Sequence, residues 1–182
     1  MIAVISGTNR PGAKTLDVAR IVDNMLDEVG ASAQLLDLAL LPLDLFRPEA
    51  YIEKPVAFNP FQQAILDADG IVIVVPEYNG SYPGVVKYFI DMLRFPESLV
   101  DKPAALVGLS SGRWGGLRAV EQMKMVLQYR HVHLYGRSCF LPGIGELLRE
   151  DGGLADPEAE ARLRRMIAGF ADFCRCVQSH EG

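Results

Sequence analysis

The stretch IVIVVPEYNGSYPG, residues 71–84, joins an uninterrupted apolar run to a turn rich in proline and glycine. The five apolar residues 71–75 show no polar alternation, which predicts a parallel strand buried on both faces. A helical pattern of apolar residues follows over 85–94. Because ligands of open α/β sheets bind beyond the carboxyl ends of such strands, we expect the turn at 76–84 to lie at a binding site.

The side chains of this turn suit a flat aromatic ligand with a hydrogen-bonding edge. Tyr78 offers apolar surface, and Asn79 with nearby backbone N–H groups can bond the polar atoms of a ring. A simpler interpretation makes the turn only a helix start, with Ser81 as N-cap and Pro83 in the first turn. That interpretation gives no role to Glu77, Tyr78 and Asn79.

Strand patterns and helix patterns alternate along the rest of the chain. The predicted strands are 2–6, 33–38, 70–75, 104–109 and 132–140. The predicted helices are 15–29, 60–68, 85–94, 117–129 and a last one that follows Asp156 as N-cap and Pro157 in its first turn. This alternation predicts one α/β domain over 1–182, with three layers and a mainly parallel five-stranded sheet. For this sheet we expect the doubly wound, flavodoxin-like order 2-1-3-4-5.

The first predicted strand leads into GTNRPGAKT, residues 7–15, at the start of a helix. Free N–H groups and the helix dipole favour an anion at such a place. Thr8 and Thr15 add hydroxyl donors, and Arg10 and Lys14 add positive charge, so the loop suits a phosphate. The alternative is a tight strand-to-helix turn with a threonine cap and surface cations.

Two known phosphate motifs are absent from this loop. The dinucleotide pattern G-x-G-x-x-G does not occur, and Ala13 displaces Lys14-Thr15 by one residue from a Walker A motif. Hydrolysis of nucleoside triphosphates is therefore disfavoured.

A third loop, SSGRWGG at 110–116, follows the fourth predicted strand. Its glycines permit close backbone approach and its serines supply hydroxyls, although such loops are usually only turns. In the order 2-1-3-4-5 the carboxyl ends of strands 1, 3 and 4 are neighbours, so the three loops would form one rim. A phosphate site beside a flat aromatic site describes a mononucleotide, and FMN fits better than a purine nucleotide.

The segments GTNRPGAKT, PEYNGSYPGVVKYFID (76–91) and SSGRWGG resemble the NADPH-dependent FMN reductase family, which includes quinone, chromate and azo-dye reductases. The resemblance covers nearly the whole chain and implies a flavodoxin-like fold, tightly bound FMN, and a homodimer or homotetramer. Many members have Ser-Asn where this chain has Ala13-Lys14, and the charge of Lys14 would compensate for the missing hydroxyl.

The resemblance also implies roles for the residues of each loop. The FMN phosphate would be bound by Thr8, Arg10 and Thr15, with Lys14 beside them. The flat ring system would be lined by Pro76, Glu77, Tyr78 and Asn79, mostly through their backbone. Its other side would be closed by Ser110, Gly112 and Gly115. Arg113 would contact a dinucleotide phosphate or remain a solvated surface residue.

The expected activity is a two-electron transfer from NADPH or NADH, through FMN, to a quinone, a free flavin or a similar small acceptor. No catalytic side chain is expected because the flavin supplies the chemistry. One alternative is a flavodoxin-type electron carrier, which generally has a T-x-T-G-x-T loop and an acidic rim. The other is a non-catalytic regulator with weak or lost FMN binding.

Composition limits the partners of the protein. A formal net charge of −5 without a basic stripe argues against nucleic acid, and no apolar run approaches the ~20 residues of a membrane span. The chain start lacks the features of a signal peptide, and three cysteines make no disulfide framework. With three histidines, His180 among them, and no CxxC, we expect no metal site and a cytoplasmic location.

Two regions suggest contacts beyond the domain itself. The long connection 39–59 is expected to be a lid, a packing arm or a subunit contact, or to pack on the surface of its own domain. Tyr88, Met92, Met123 and Met125 are expected at a subunit interface, with ordinary core packing as the alternative.

Overall fold

The computed structural model describes residues 1–179, so the last three residues of the predicted domain, His180 among them, lie outside the described part. Its sheet contains β1 (Ile2–Ser6), β2 (Ala33–Asp37), β3 (Gly70–Pro76), β4 (Pro103–Leu109), β5 (His133–Leu134) and β6 (Cys139–Leu141). All paired strands are parallel, in the order β2-β1-β3-β4-β5, and β6 also pairs with β4. The predicted strand order is confirmed.

The fifth position of the sheet differs from the prediction of one strand over 132–140. The two short strands β5 and β6 pair with opposite ends of β4, and residues 135–138 between them leave the sheet. The intervening Gly136 and Arg137 are exposed, and neither residue type favours a half-buried strand. The chain therefore leaves the sheet at these residues and returns at Cys139.

Within residues 1–179, six α-helices cover the sheet on both faces: α1 (Lys14–Glu28), α2 (Asn59–Asp67), α3 (Gly84–Met92), α4 (Leu117–Tyr129), α5 (Ile144–Leu147) and α6 (Pro157–Gln178). Side chains from α1 and α6 pack on one face of the sheet, and side chains from α2, α3 and α4 pack on the other. Both β3 and β4 are buried along their whole length. Burial from both sides explains why the run 71–75 has no polar alternation.

The last helix begins as its sequence predicts. The carboxylate of Asp156 accepts a hydrogen bond of 2.9 Å from the Glu158 N–H, and Pro157 occupies the first turn. On its core face Leu163 and Phe170 are fully buried. The predicted start of α6 is therefore confirmed, and the helix packs on the sheet through this face.

The connection 39–59 folds into short 3₁₀ helices that pack on the domain and also present apolar surface. Leu45 and Phe58 are buried in the core, and the Tyr88 hydroxyl donates a 2.5 Å hydrogen bond to the Leu45 carbonyl. In contrast, Leu43 and Ile52 are 86% and 93% exposed. The segment is thus anchored on its inner side and free on its outer side.

The predicted interface residues separate into two groups. Met92 and Met123 are completely buried in the core beneath α3 and α4, so their assignment to a subunit interface is wrong. Met125 is 70% exposed, and Tyr88 is half-buried under the ring of Phe46, with centroids 5.0 Å apart. A role of these last two in an interface stays a prediction.

Candidate functional site

The first loop of the site leaves the sheet where β1 ends. The Gly7 N–H donates a 2.9 Å hydrogen bond to the Val74 carbonyl oxygen of β3, and a Cβ on Gly7 would lie 2.6 Å from that oxygen. Only glycine therefore allows the chain to pass this close to β3. The loop then runs over the ends of β1 and β3 to the start of α1.

The N-terminus of α1 forms an anion cradle, which we define as Arg10, Lys14, Thr15 and the first N–H groups of the helix. Ala13 is the N-cap and supplies no side-chain hydrogen bond, so no capping side chain covers the first amides of α1. Thr15 is only 1% exposed, and its hydroxyl has no hydrogen-bond partner among residues 1–179. Arg10 and Lys14 are exposed and form no ion pair within that range. The cradle suits a phosphate.

Thr8 has a different environment from Thr15. It is buried, its hydroxyl lies 3.1 Å from the Tyr78 hydroxyl, and it accepts a 3.2 Å hydrogen bond from the Arg10 N–H. These two contacts occupy the hydroxyl and connect the first loop to the second. The predicted contact of Thr8 with a phosphate stays a prediction.

The second loop, after β3, closes in a tight turn from Tyr78 to Ser81. The two residues exchange backbone hydrogen bonds of 2.8 and 3.1 Å, and the central residues Asn79 and Gly80 have φ angles of 53° and 78°. Positive φ at both centres defines a type I′ turn, for which Asn-Gly is the preferred sequence. Asn79 is therefore explained by the turn, and it lies exposed at the tip.

Helix α4 holds the second loop in place. The Ser81 hydroxyl donates to the Gln122 side-chain oxygen at 2.6 Å, and the Gln122 amide donates to the Gly80 carbonyl at 3.0 Å. Arg118 donates to the Glu77 carboxylate through its backbone N–H and its guanidinium, both at 3.3 Å. These α4 residues lie about forty positions from the loop in the sequence, so no local sequence pattern connects them with it.

The start of α3 corrects the simpler interpretation of the second loop. The helix begins at Gly84, with Pro83 at the N-cap and no side-chain capping bond. Because the Ser81 hydroxyl bonds to Gln122, Ser81 is not the N-cap, and Pro83 lies one position before the first turn.

The third loop, after β4, is shaped by close contact with the end of β6. Gly115 is buried with φ of 59°, and a Cβ there would lie 2.8 Å from the Leu141 nitrogen. The Ser110 hydroxyl donates to the Gly112 carbonyl at 3.0 Å. Arg113 is exposed and lies 4.9 Å above the Trp114 ring. The glycines therefore allow the loop to pack, while Arg113 and Trp114 stand at the rim.

The three loops enclose one cleft of about 280 Å³, which we call the first cleft. Seven of the predicted site residues line it: Arg10, Lys14, Thr15, Pro76, Glu77, Tyr78 and Ser110. Five do not line it: Thr8, Asn79, Gly112, Arg113 and Gly115. Sequence analysis gave no role to Leu109 and Ile144, which also line the cleft. The anion cradle thus lies at one end of a cleft whose other walls include an aromatic ring.

Comparison with known proteins agrees with this geometry. A family model described as NADPH-dependent FMN reductase matches residues 1–145. The chain belongs to this family. A quinone reductase of Escherichia coli strain K12 is 28% identical over 184 residues, which cover 97% of this chain and 96% of that protein. An NAD(P)H-dependent FMN reductase of Pseudomonas aeruginosa is 36% identical over 150 residues, 80% of each chain.

Solved structures support the fold of this FMN reductase family member. The flavoenzyme NAD(P)H:(acceptor) oxidoreductase of Paracoccus denitrificans superposes with a TM-score of 0.79 at 22% identity, over 96% of both chains. This superposition confirms the flavodoxin-like fold. The family match and the relatives confirm the expected family, the oxidoreductase class, and the dependence on FMN and NAD(P)H. A small-molecule electron acceptor is consistent with the family.

No helix within residues 1–179 is both long enough and apolar enough to span a bilayer. In the same range, no group of three or more histidine, cysteine, aspartate or glutamate residues is arranged to hold a metal ion.

Proposed function

We propose that the first cleft holds FMN and that the protein passes two electrons from NADPH or NADH to a quinone, a free flavin or a similar small acceptor. One observation carries this proposal. The same cleft is lined by the unpartnered Thr15 hydroxyl at the uncapped start of α1 and by Tyr78 at the end of β3. A phosphate donor set next to an aromatic wall matches the two ends of a flavin mononucleotide.

The anion cradle would hold the phosphate through three kinds of donor. The Thr15 hydroxyl and the first amides of α1 donate hydrogen bonds at the floor, and Lys14 and Arg10 supply charge from the exposed side. Hydrogen bonds to an ionised group each contribute about 1.5–3 kcal/mol, so two or three of them hold a ligand firmly.

The ring system would lie against the residues that follow β3. Tyr78 is held by its hydroxyl contact to Thr8, and Glu77 is held through its carboxylate by Arg118. These contacts fix the shape of the wall before a ligand arrives, which lowers the cost of binding. When bound, FMN supplies the hydride and electron chemistry, so the protein needs only to orient it and its partners.

The charges at the rim favour an enzyme over an electron carrier. Arg10, Lys14 and Arg113 are all exposed at the loops of the site. Positive side chains attract the phosphates of NADPH and NADH, whereas an acidic rim would repel them.

Association into a homodimer or homotetramer, and action in the cytoplasm, complete the proposal. The outer side of the connection 39–59 exposes Leu43, Ile52 and Val56, and α4 exposes Met125 and Tyr129. Apolar surface of this kind is typical of a subunit contact. Cys139 and Cys174 are buried free thiols in the described part of the chain, which suits a reducing compartment.

An FMN titration followed by a turnover assay tests the proposal. We expect quenching of FMN fluorescence on binding and NADPH or NADH consumption that depends on added benzoquinone. Lys14→Ala should weaken FMN binding, whereas Lys124→Ala, a helix lysine paired with Glu121 away from the cleft, should not. Bound FMN without turnover would favour the electron carrier, and no binding would favour the regulator; either result would overturn the proposal.

A further inference from the structure

A second cleft of about 320 Å³ lies on the other side of the first loop. Arg10, Pro11, Gly12 and Ala13 line both clefts, so this stretch of the loop is a wall that the two clefts share. The ends of β1 and β2 and the first turns of α1 form the remaining sides. The two clefts therefore lie against the same four residues of the first loop.

The floor of the second cleft contains a polar atom without a partner. Ser6, the last residue of β1, lines the cleft and is only 1% exposed. Its hydroxyl oxygen is fully buried and has no hydrogen-bond partner in the described part of the chain. A buried hydroxyl without a partner is costly, and a bound ligand would satisfy it.

A carboxylate lies beside this hydroxyl. Asp37 ends β2 and pairs with Ser6 in the parallel register, which places the two side chains on the same face of the sheet. One carboxylate oxygen of Asp37 accepts a 3.0 Å hydrogen bond from the Ala39 N–H. The carboxylate forms no ion pair within residues 1–179, so its second oxygen remains available as an acceptor.

We propose that the second cleft is a subsite for the adenosine ribose of a dinucleotide. In doubly wound folds of the Rossmann type, a carboxylate at the end of the second strand binds ribose hydroxyls while the phosphates sit at the start of the first helix. The first loop of this chain lacks the glycine pattern of that fold, but Asp37 ends β2 beside the start of α1 in the same way. Here Asp37 is that acceptor, Ser6 adds a second polar contact, and the subsite adjoins the anion cradle across the shared wall. This inference rests on the proposed function, because it takes the first cleft to hold the flavin and its phosphate.

Two dinucleotides contain the required adenosine. In FAD, the adenylate is attached to the flavin phosphate and would begin at the shared wall. In NADH or NADPH, the adenosine would enter the same subsite while the nicotinamide meets the flavin.

Two variants separate the subsite from the flavin site. Asp37→Asn keeps an oxygen that can accept the Ala39 N–H but removes the charge, and Ala39→Phe fills part of the second cleft from an exposed position. The dissociation constants of FMN and FAD are measured by fluorescence titration of the full chain without bound flavin. The KM values for NADH and NADPH are measured with FMN present. Thermal unfolding checks that each variant remains folded.

The expected result is about a tenfold weakening of FAD binding in both variants with no change for FMN. If FAD binding is unchanged while the KM for NADH rises about tenfold, the adenosine subsite stands and belongs to the nicotinamide dinucleotide. If neither quantity changes although FMN binds normally, the inference is overturned and the proposed function survives. Loss of FMN binding in the unmodified chain would instead refute the proposed function.

Discussion

The Thr15→Val substitution tests the anion cradle because it should affect folding and ligand binding differently. Valine has the shape of threonine without the hydroxyl, and the Thr15 hydroxyl has no partner among residues 1–179. Removing a hydroxyl that makes no hydrogen bond costs no folding free energy and can relieve part of its desolvation penalty. We therefore expect the unfolding free energy of the flavin-free protein to stay the same or rise by up to about 1 kcal/mol.

The same substitution should weaken FMN binding strongly. A hydrogen bond from this hydroxyl to a phosphate is worth about 1.5–3 kcal/mol, which corresponds to a rise in the dissociation constant of roughly 10- to 150-fold. Urea unfolding of the flavin-free protein gives the first quantity, and fluorescence titration with FMN gives the second.

Thr8→Val is the matched control because Thr8 is equally buried but its hydroxyl contacts Tyr78 and the Arg10 N–H. Losing these contacts should lower the unfolding free energy by about 1–3 kcal/mol. If Thr15→Val instead destabilises the flavin-free protein as much as Thr8→Val and leaves FMN binding unchanged, Thr15 is a structural residue and the cradle is wrong.

Four further predictions concern single positions. Ala13→Ser adds a hydroxyl at the N-cap of α1 and should raise the unfolding free energy by about 1 kcal/mol while tightening FMN binding; an unchanged dissociation constant would place the phosphate elsewhere. Gly115→Ala combines positive φ with a backbone clash and should lower the midpoint of urea unfolding more than Gly152→Ala, where φ is positive but nothing lies near the new Cβ; equal effects would contradict the clash. Asp156→Ala removes the cap of α6 and should cost about 1 kcal/mol in urea unfolding, and a cost near zero would show that the cap adds little. Burial raises the pKa of the Cys174 thiol to about 12, so at pH 8 mass spectrometry should find Cys174 unmodified by iodoacetamide until the protein is unfolded; rapid labelling of the native protein would refute this burial.

The sheet was predictable because a strand that is buried on both faces has an uninterrupted run of apolar residues in the sequence. The run 71–75 has no polar residue, and in the structure it lies between two helix layers. The anion cradle was predictable for a similar local reason, since Arg10, Lys14 and Thr15 all lie within one turn of the helix start. Features that depend on residues close together in the sequence can thus be predicted from the sequence.

Local sequence signals bear on two assignments: the ring contact of Asn79, which stays a prediction, and the interface role of Met123, which is wrong. Asn79-Gly80 is the preferred pair for a type I′ turn, which explains the amide without a ligand. Met123 and Met125 stand two positions apart on a helix, about 200° around its axis, so they cannot face the same surface. The structure places the first in the core and the second in solvent.

The remaining parts of the site depend on distant segments. Ile144 reaches the first cleft only because β6 returns to β4 after the break at residues 135–138. Gln122 meets Gly80 only because α4 packs beside the second loop. No periodicity or motif in the sequence indicates such contacts, because they depend on how the helices pack against the sheet.

Hydrogen bonds join the three loops into one continuous rim, which bears on how the site works. Thr8 contacts Tyr78, the Glu77 N–H donates to the Leu109 carbonyl at 3.0 Å, and the Ser110 N–H donates to the Leu141 carbonyl at 3.2 Å. The first loop is thereby connected through the second loop and β4 to β6. A rim tied in this way has little conformational freedom to lose when a ligand binds, so more of the contact energy appears as affinity. The cleft is therefore suited to a resident cofactor, while the exposed residues beyond it receive the molecules that exchange electrons with it.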